Sequence, residues 1–295
     1  MAILRLTPSY KDYIWGGEKL RAFGKNPPIH PVAESWEVSC HPDGPSFVEG
    51  KPLPEVINPQ ILGKNCAKVR FFPYLVKFID SASNLSVQVH PSDEWALRNE
   101  GQYGKTEMWH ILDAEPGAGL YLGFKRDVTE EEVERKLRDG TILELLNFYQ
   151  VKPGETYFIP SGTVHAIGGG VTLCEIQQNS NLTYRLYDYG RLGKDGKPRP
   201  LHIEQSLKVL NYKKYKAPKF EKGVIGECEY FSVSLLEKLS DAIKAPKDSF
   251  LSLVCLDGAG SLDDLPFQKG DSFLLPAGES VKVQGNGRFI RIEVK

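Results

Sequence analysis

One pattern of residues occurs twice in the chain, and the two copies differ at one chemically important position. Residues 154–165 have the sequence GETYFIPSGTVH, and residues 270–281 have GDSFLLPAGESV. The glycine, acidic, hydroxyl, aromatic and proline positions coincide, whereas His165 of the first copy corresponds to Val281 of the second. A repeated strand–turn–strand pattern predicts two structural units of one type. The valine indicates that the fold of such a unit does not require the histidine.

The composition excludes several classes of function. The chain has 295 residues with a net charge of −1, so it lacks the excess of basic residues that nucleic acids or anionic membrane surfaces attract. No apolar run approaches the roughly 18 residues of a membrane span. The five cysteines are an odd number and widely spaced, which is typical of free thiols in a reducing compartment. We therefore expect a cytoplasmic protein.

Short apolar runs separated by glycine and proline predict an all-β fold. A polar, proline-terminated segment at 213–218 is the best candidate for a linker, so we expect a first unit over residues 1–215 and a second over 216–295. A helical insertion at about 127–148 interrupts the first unit, because Thr129 and the glutamate three residues later form a capping-box pattern. Two further helices are expected at 201–211 and directly after Ser92.

The segment VQVHP contains two polar side chains on one face of a predicted strand. Gln88 and His90 are two residues apart, so both point to the same side, and Val87 and Val89 point to the other. If the valines face the wall of a barrel, the amide and the imidazole face its interior, where unpaired polar groups cost about 1–3 kcal/mol. A metal ion would explain them, although a hydrogen-bonded core histidine is the favoured explanation of His90 when the segment is considered alone.

Two further segments complete a candidate metal site. Lys105 and Glu107 share one strand face in KTEMW, a pattern that alone is typical of a surface strand with an ion pair. His165 is the stronger candidate for a metal ligand, since the second copy of the repeat has valine in its place. Together His90, Glu107 and His165 form a set of two imidazoles and one carboxylate, with Gln88 as a neutral fourth ligand. Such a set suits Zn²⁺, Fe²⁺, Mn²⁺ or Ni²⁺ and leaves coordination positions open.

The region 171–191 is rich in amide, tyrosine and arginine side chains between apolar residues. Glu175 shares a strand face with Gln177, and Arg185 shares another with Tyr187. These side chains are typical of a site for a polyhydroxylated, anionic ligand. An amphipathic strand pair with a solvated face is the simpler alternative.

In these segments the chain resembles the type I phosphomannose isomerases of the short bacterial form, which belong to the cupin superfamily. The motifs that carry the resemblance are WGG at 15–17, ESWEVS at 34–39, QVHP at 88–91, KTEMW at 105–109, IPSGTVHAI at 159–167 and TYRLYDYGR at 183–191. The resemblance implies two jelly-roll β-barrels of the cupin type, the second without metal ligands. The first cupin motif is altered in that family too: Gln88 and His90 are followed by the glutamate only at Glu107.

The resemblance also implies a site and a reaction. One Zn²⁺ per chain would be held by His90, Glu107 and His165, with Gln88 as an added ligand. The catalytic residues would be Arg185, Glu175 and Lys105, and Lys105, Arg185 and Arg191 would bind the substrate. The implied reaction interconverts mannose 6-phosphate and fructose 6-phosphate through an enediol(ate). The expected partner is a small-molecule sugar phosphate, with no nucleic acid or membrane, and the sequence leaves the oligomeric state open.

The roles of individual residues stay open at this stage. Glu175 is the expected base, with Lys105 as an acid or a hydroxyl-orienting cation, but Lys105 or a metal-bound water could be the base instead. Arg185 stabilises the developing charge in this interpretation, whereas a structural ion pair with Glu175 or Asp188 is the alternative. Two other functions use similar residues. A metal-dependent cupin oxygenase would leave Lys105, Glu175 and Arg185 without roles, and a non-catalytic sugar-binding cupin would not need the metal.

Overall fold

The computed structural model of the protein describes residues 2–295 and is mostly β-structure with few helices. In chain order the strands are β1 Leu4–Leu6, β2 Ser9–Lys11, β3 Glu34–Val38, β4 Phe47–Val48, β5 Lys51–Pro52, β6 Tyr74–Ser81, β7 Val87–Val89, β8 Glu107–Ala114, β9 Gly119–Phe124, β10 Leu146–Gln150, β11 Thr156–Ile159, β12 His165–Ile167, β13 Val171–Gln178, β14 Tyr184–Tyr187, β15 Val224–Glu227, β16 Ser232–Leu236, β17 Ala242–Lys244, β18 Leu251–Leu262, β19 Leu265–Gln268, β20 Ser272–Leu275 and β21 Ser280–Glu293. The expectation of a β-rich fold is confirmed.

Five short α-helices connect the strands. They are α1 Leu53–Val56, α2 Pro59–Leu62, α3 Asp93–Asn99, α4 Glu130–Arg138 and α5 Ile203–Val209, with 3-10 turns at Lys19–Phe23, Lys64–Lys68 and Ile142–Leu145. All three predicted helices are present, although α5 is shorter than the predicted 201–211. The Thr129 side chain accepts a hydrogen bond from the Glu132 amide at 3.3 Å, as a cap requires. None of the helices among residues 2–295 is long and apolar enough to cross a membrane.

Three large sheets organise the chain. A six-stranded sheet has the order β11-β8-β13-β6-β3-β2, and a five-stranded sheet has the order β10-β9-β12-β7-β14. The third sheet runs β1-β20-β18-β21-β16-β15, with β17 on β21 and β19 on β18. Its first strand comes from the N-terminus, so the predicted boundary at residue 215 does not separate all contacts: β1 pairs with β20 across most of the chain length.

Apolar side chains determine which sheet faces pack together. Residues of both smaller sheets form one core between them, as Leu122 of β9 and Leu173 of β13 illustrate. Val87 and Val89 point away from that core towards the helices that cover the five-stranded sheet, so Gln88 points inward, as predicted. Met108 packs between the six-stranded and third sheets, while the next side chain, Trp109, points into the inner core.

The two copies of the repeated motif adopt the same local hydrogen-bonding pattern. Gly154 and Gly270 have φ angles of 91° and 90°, a left-handed conformation that glycine tolerates best. The amide of Gly154 donates to the Ile111 carbonyl at 2.9 Å, and that of Gly270 donates to the Cys255 carbonyl at 2.8 Å. The repeat that is visible in the sequence is therefore a repeat in three dimensions.

Strand pairing identifies the residues of the second copy that correspond to the candidate ligands. Ile159 is paired with Glu107, whereas the corresponding Leu275 is paired with Leu251. His165 is paired with Gln88, whereas Val281 is paired with Ile243. Two residues beyond Ile243, in the place of His90, the chain has the buried Ala245. All four polar candidate ligands thus correspond to apolar side chains in the second copy.

This correspondence generates a stability prediction. We expect Val281→His to lower the free energy of unfolding by about 1–3 kcal/mol, because Val281 is 1% exposed and its apolar surroundings offer an imidazole no partner. Urea denaturation checks this value. The matched control is Lys282→His on the same strand, which is exposed and should change stability by less than about 0.5 kcal/mol. Equal stability of Val281→His and the native chain would contradict the prediction.

Candidate metal centre and active-site cleft

Three predicted ligands meet between the two smaller sheets. His165 begins β12 and His90 directly follows β7 in the five-stranded sheet, whereas Glu107 begins β8 in the six-stranded sheet. Their ligand atoms all lie within 4.8 Å of one another. The Nε2 atom of His165 is 3.3 Å from Glu107 Oε1, and that of His90 is 3.5 Å from Oε2. The carboxylate therefore lies between the two imidazoles.

Backbone carbonyls orient both imidazoles. His90 Nδ1 is 2.9 Å from the Leu182 carbonyl oxygen, and His165 Nδ1 is 2.8 Å from that of Thr163. A carbonyl only accepts, so Nδ1 carries the proton and the Nε2 lone pair points towards the centre. Burial, helped by the charge of Lys105, lowers the pKa of His90 to about 3, and burial also lowers the pKa of His165. Both rings are thus neutral, the form that binds metals.

Glu107 is fully buried, and neither of its carboxylate oxygens has a hydrogen-bond donor of acceptable geometry among residues 2–295. Lys105 Nζ lies 2.6 Å from Oε2 and forms an ion pair. Although burial favours protonation, the charge of Lys105 holds the pKa of Glu107 well below its usual range. A buried carboxylate with incomplete compensation is costly. The position, the neutral imidazoles and the free oxygens together fit a divalent cation.

Lys105 and Glu107 are therefore not the exposed pair that the KTEMW segment suggests when it is considered alone. Their side chains are 6% and 0% exposed, and Lys105 lies in the loop before β8 rather than on the strand. The space between the two smaller sheets is polar where the ligands meet, so alternation along the strand does not distinguish an inner face from a solvated one.

Gln88 lies beside the ligand cluster. Its Nε2 atom is 3.2 Å from His165 Nε2. Because an amide NH₂ group has no lone pair to offer a cation, a metal here would be met by the amide oxygen, which occupies the same volume after a flip of the side chain. The amide also lines the neighbouring cleft and is the only one of the four candidate ligands among its lining residues.

A cleft of about 270 Å³ opens next to the cluster. Its polar lining consists of Tyr13, Glu34, Lys77, Ser86, Gln88, Lys105, Glu175, Asn181, Thr183, Arg185 and Arg199. The structure thus brings Lys105, Glu175 and Arg185 to one cavity, beside the candidate metal position.

Glu175 has one occupied and one free carboxylate oxygen. Oε2 accepts a hydrogen bond from Trp109 Nε1 at 2.8 Å. Oε1 lies 3.6 Å from both Lys77 Nζ and Lys105 Nζ and accepts no hydrogen bond within the described chain. Burial raises the pKa of Glu175, and the charge of Glu107 raises it further. A carboxylate whose pKa is raised and whose free oxygen adjoins a cleft is suited to proton transfer.

Sequence reasoning missed two buried charged residues of the cleft. Lys77 is 4% exposed, and its Nζ lies 3.5 Å from Glu34 Oε2 as well as 3.6 Å from Glu175 Oε1. Trp36 Nε1 donates to that same Glu34 oxygen at 2.6 Å. A signal for Lys77 was present, since a single lysine interrupts the otherwise apolar strand YLVKFI and a buried lysine needs partners.

The arginines that line the cleft differ from the expected set by one exchange, and Arg185 lacks the ion pair that was its alternative role. Arg185 Nε donates to Ser86 Oγ at 3.3 Å and NH1 donates to the Pro200 carbonyl at 2.8 Å, so its hydrogen bonds go to neutral oxygens and not to Glu175 or Asp188. Arg199, which sequence reasoning did not select, lines the cleft. Arg191, which it did select, is not among the lining residues and binds Asp188 instead.

Comparisons with known proteins agree with this arrangement. A family model described as "Phosphomannose isomerase type I, catalytic domain" matches residues 3–117, and one described as "Mannose-6-phosphate isomerase, cupin domain" matches residues 221–294. The chain is 38% identical to the probable mannose-6-phosphate isomerase GmuF of Bacillus subtilis over 93% of each sequence. It is 36% identical to the mannose-6-phosphate isomerase ManA of the same organism over 92% of each.

A solved structure leads to the same family. The crystal structure of the mannose 6-phosphate isomerase from Bacillus subtilis matches with a TM-score of 0.87 and 34% identity, covering 99% of both chains. The fold and the polar cluster define a member of the isomerases with a cupin domain. The chain belongs to the type I phosphomannose isomerase family.

The repeat suggests a substitution that tests the metal site. We expect His165→Val to keep the fold, because valine occupies the corresponding place in the second copy, and to weaken metal binding by at least about tenfold. Elemental analysis and circular dichroism check the two expectations. His110→Val is the matched control. His110 lies in β8 and, like His165, is buried, but its Nδ1 contacts Thr156 Oγ1 rather than the ligand cluster. Undiminished metal binding in His165→Val would contradict the assignment.

Proposed function

We propose that the chain interconverts mannose 6-phosphate and fructose 6-phosphate. One observation carries this proposal. The buried His90–Glu107–His165 cluster adjoins a cleft that is lined by Lys105, Glu175 and Arg185, in a chain that belongs to the isomerase family. Aldose–ketose interconversion needs a proton-transfer group and charge stabilisation near the same carbon atoms. The cleft offers both kinds of group side by side.

One zinc ion per chain is the proposed cofactor. His90, Glu107 and His165 would hold it, with the oxygen of Gln88 as an added ligand. A bound divalent ion supplies Lewis-acid stabilisation of negative charge on oxygen. The support for the position is the unsatisfied carboxylate of Glu107 and the two lone pairs directed at it.

Glu175 is the proposed base that removes the proton from C2 and returns it to C1. Its free Oε1 adjoins the cleft, and its pKa, raised by burial, suits a group that must both accept and release a proton. Lys105 lies 3.6 Å from that oxygen. We assign it the roles of orienting a substrate hydroxyl and balancing the charge of the neighbouring carboxylates.

Arg185 is the proposed cation that stabilises the enediolate. Its guanidinium group lines the cleft and makes no hydrogen bond to a carboxylate within residues 2–295, so its positive charge is available to a ligand. Lys105, Arg185 and Arg191 are the predicted substrate-binding residues. The hydrogen bonds of Arg191 to Asp188 and to the Asn84 carbonyl favour an indirect contribution for that residue.

We further propose that the chain forms two cupin units of the jelly-roll type, over about residues 1–215 and 216–295. The first unit would contain the helical insertion at about 127–148. The matching hydrogen bonds at Gly154 and Gly270 support this division. The second unit would stabilise the first through the apolar contacts of the six-stranded sheet with the third sheet. A cytoplasmic location is proposed from the five free cysteines.

A coupled assay tests the reaction. With mannose 6-phosphate as substrate, we expect fructose 6-phosphate to form, the rate to fall on treatment with a chelator, and Zn²⁺ to restore it. Oxygen consumption should stay at the background rate, which separates the isomerase from a cupin oxygenase. Absence of turnover after reconstitution with Zn²⁺ would refute the proposal. Unchanged turnover in a verified metal-free protein would refute the cofactor assignment alone.

If Glu175 is the base, replacing one of its carboxylate oxygens by an amide nitrogen should greatly lower the turnover rate. Glu175→Gln should lower turnover by about 10²–10⁴-fold, because an amide cannot accept the proton, while metal content and fold are retained. Steady-state kinetics with elemental analysis measure both. Glu155→Gln is the control and should retain native turnover, because Glu155 is an exposed residue of the repeated motif at 154–165. Native turnover in Glu175→Gln would transfer the role to another group, with Lys105 as the first candidate.

A further inference from the structure

A single carboxylate binds two arginines beside the cleft. Asp188 is 5% exposed. Arg199 approaches it with two nitrogens, Nε at 2.7 Å from Oδ2 and NH2 at 2.5 Å from Oδ1. Arg191 NH2 donates to Oδ1 at 2.6 Å. The side chain of Asp188 therefore fixes both guanidinium groups, and fork-shaped contacts of this kind set direction as well as distance.

The two arginines that line the cleft each keep a terminal nitrogen free. Arg199 uses Nε and NH2 for Asp188, so its NH1 makes no hydrogen bond within the described chain. Arg185 uses Nε and NH1 for Ser86 and Pro200, so its NH2 is free in the same sense. Since both residues line one cavity, two guanidinium groups with unused donors adjoin the space beside the candidate metal centre.

Arg191 differs from this pair. Besides its bond to Asp188 it donates a short hydrogen bond through NH1 to the Asn84 carbonyl, and its Nε is buried without a partner. Both terminal nitrogens are thus occupied by the protein. The geometry suits a structural link from Asp188 to the chain near β7, and it explains why Arg191 does not line the cleft.

Arg191 and Arg199 stand at the two ends of one hairpin. Leu192 bridges to Pro198, and the Gly193 amide donates to the Lys197 carbonyl at 2.7 Å. Asp188 binds Arg191, which directly precedes this bridge, and Arg199, which directly follows it. It therefore fixes the position of the hairpin at its base, and the orientation of Arg199 depends on it.

We infer that Asp188 is a positioning residue that directs Arg199 towards the phosphate group of the substrate and thereby determines selectivity for a dianionic ester. The inference rests on the proposed function. Arg191 and Arg199 carry two positive charges against the single negative charge of Asp188, so this group keeps an excess of positive charge that favours a phosphate dianion. The free terminal nitrogen of Arg199 carries two N–H donors, which suit the oxygens of a tetrahedral phosphate group.

The role is distinguishable from a purely structural one. Loss of Asp188 would leave Arg199 charged but unaligned, so binding of the phosphate should suffer while binding of the sugar ring and the metal should not. A merely structural carboxylate would instead affect the phosphate, the sugar and the metal alike. Binding of inorganic phosphate, inhibition by unphosphorylated mannose, and metal content separate the two cases.

The experiment compares Asp188→Asn and Arg199→Gln with the control Lys197→Gln, which removes a positive charge from the tip of the same hairpin, away from the cleft lining. For the first two variants we expect KM for mannose 6-phosphate and the dissociation constant of inorganic phosphate, from calorimetry, to rise about tenfold to a hundredfold. The change in kcat should be less than about threefold, and the inhibition constant of mannose should change less than about twofold. Lys197→Gln should bind phosphate like the native chain.

Each alternative outcome has a definite meaning. Native phosphate affinity in Asp188→Asn, or equal losses for phosphate, mannose and metal, would overturn the inference. If Asp188→Asn fails to fold, Arg199→Lys decides, because it keeps the charge without the fork: phosphate affinity at the native level would overturn the inference, and a loss of about tenfold would support it. If the native enzyme binds phosphate but does not turn over mannose 6-phosphate, the proposed function fails while the calorimetry still tests the role of Asp188.

Discussion

The burial of the Glu107 carboxylate is the constraint on which the rest of the site depends. A carboxylate with no exposed surface is stable as an anion only if positive charge compensates for the lost water. Lys105 supplies part of this compensation at 2.6 Å, but the hydrogen-bonding capacity of both oxygens is unused. The two imidazoles, each held by a backbone carbonyl, direct lone pairs rather than protons towards it. This arrangement is costly if the space between the three side chains is empty, and it is favourable if a cation occupies that space.

The second copy of the motif shows the same fold without this constraint. There Leu251 and Val281 occupy the places of the carboxylate and the imidazole, and the side chains pack in an apolar core. Replacing buried charges by apolar groups of similar volume is often neutral or stabilising. The polar cluster of the first copy is therefore not needed for folding, and its energetic cost indicates selection for chemistry. The comparison is internal to one chain, so both copies of the motif experience the same solvent and temperature.

The sequence predicted the parts of the structure that depend on local pattern. The β-rich fold, the cap at Thr129 and the inward direction of Gln88 follow from alternation and capping rules, and the structure confirms them. The meeting of His90, Glu107 and His165 was predictable because a repeat and a family resemblance selected them. Arg199 and Lys77 were missed because their importance arises from contacts in the folded chain, such as those of Lys77 with Glu34 and Glu175 on the two neighbouring strands, and alternation along a strand does not reveal such partners.

The buried charges of the cleft form an alternating series that explains how so many can coexist. Glu34, Lys77, Glu175, Lys105 and Glu107 follow one another, with each lysine between two carboxylates at distances of 2.6–3.6 Å. Although burial opposes its protonation, the carboxylates of Glu34 and Glu175 raise the pKa of Lys77. The series has one more carboxylate than lysine, so it carries one net negative charge, and its Glu107 end lies beside the two imidazoles. A divalent ion at that end would reverse the balance, and the free oxygen of Glu175, in the middle of the series, would then be influenced by positive charge from both directions. Coupling of this kind would link the proton affinity of the proposed base to occupancy of the proposed metal site.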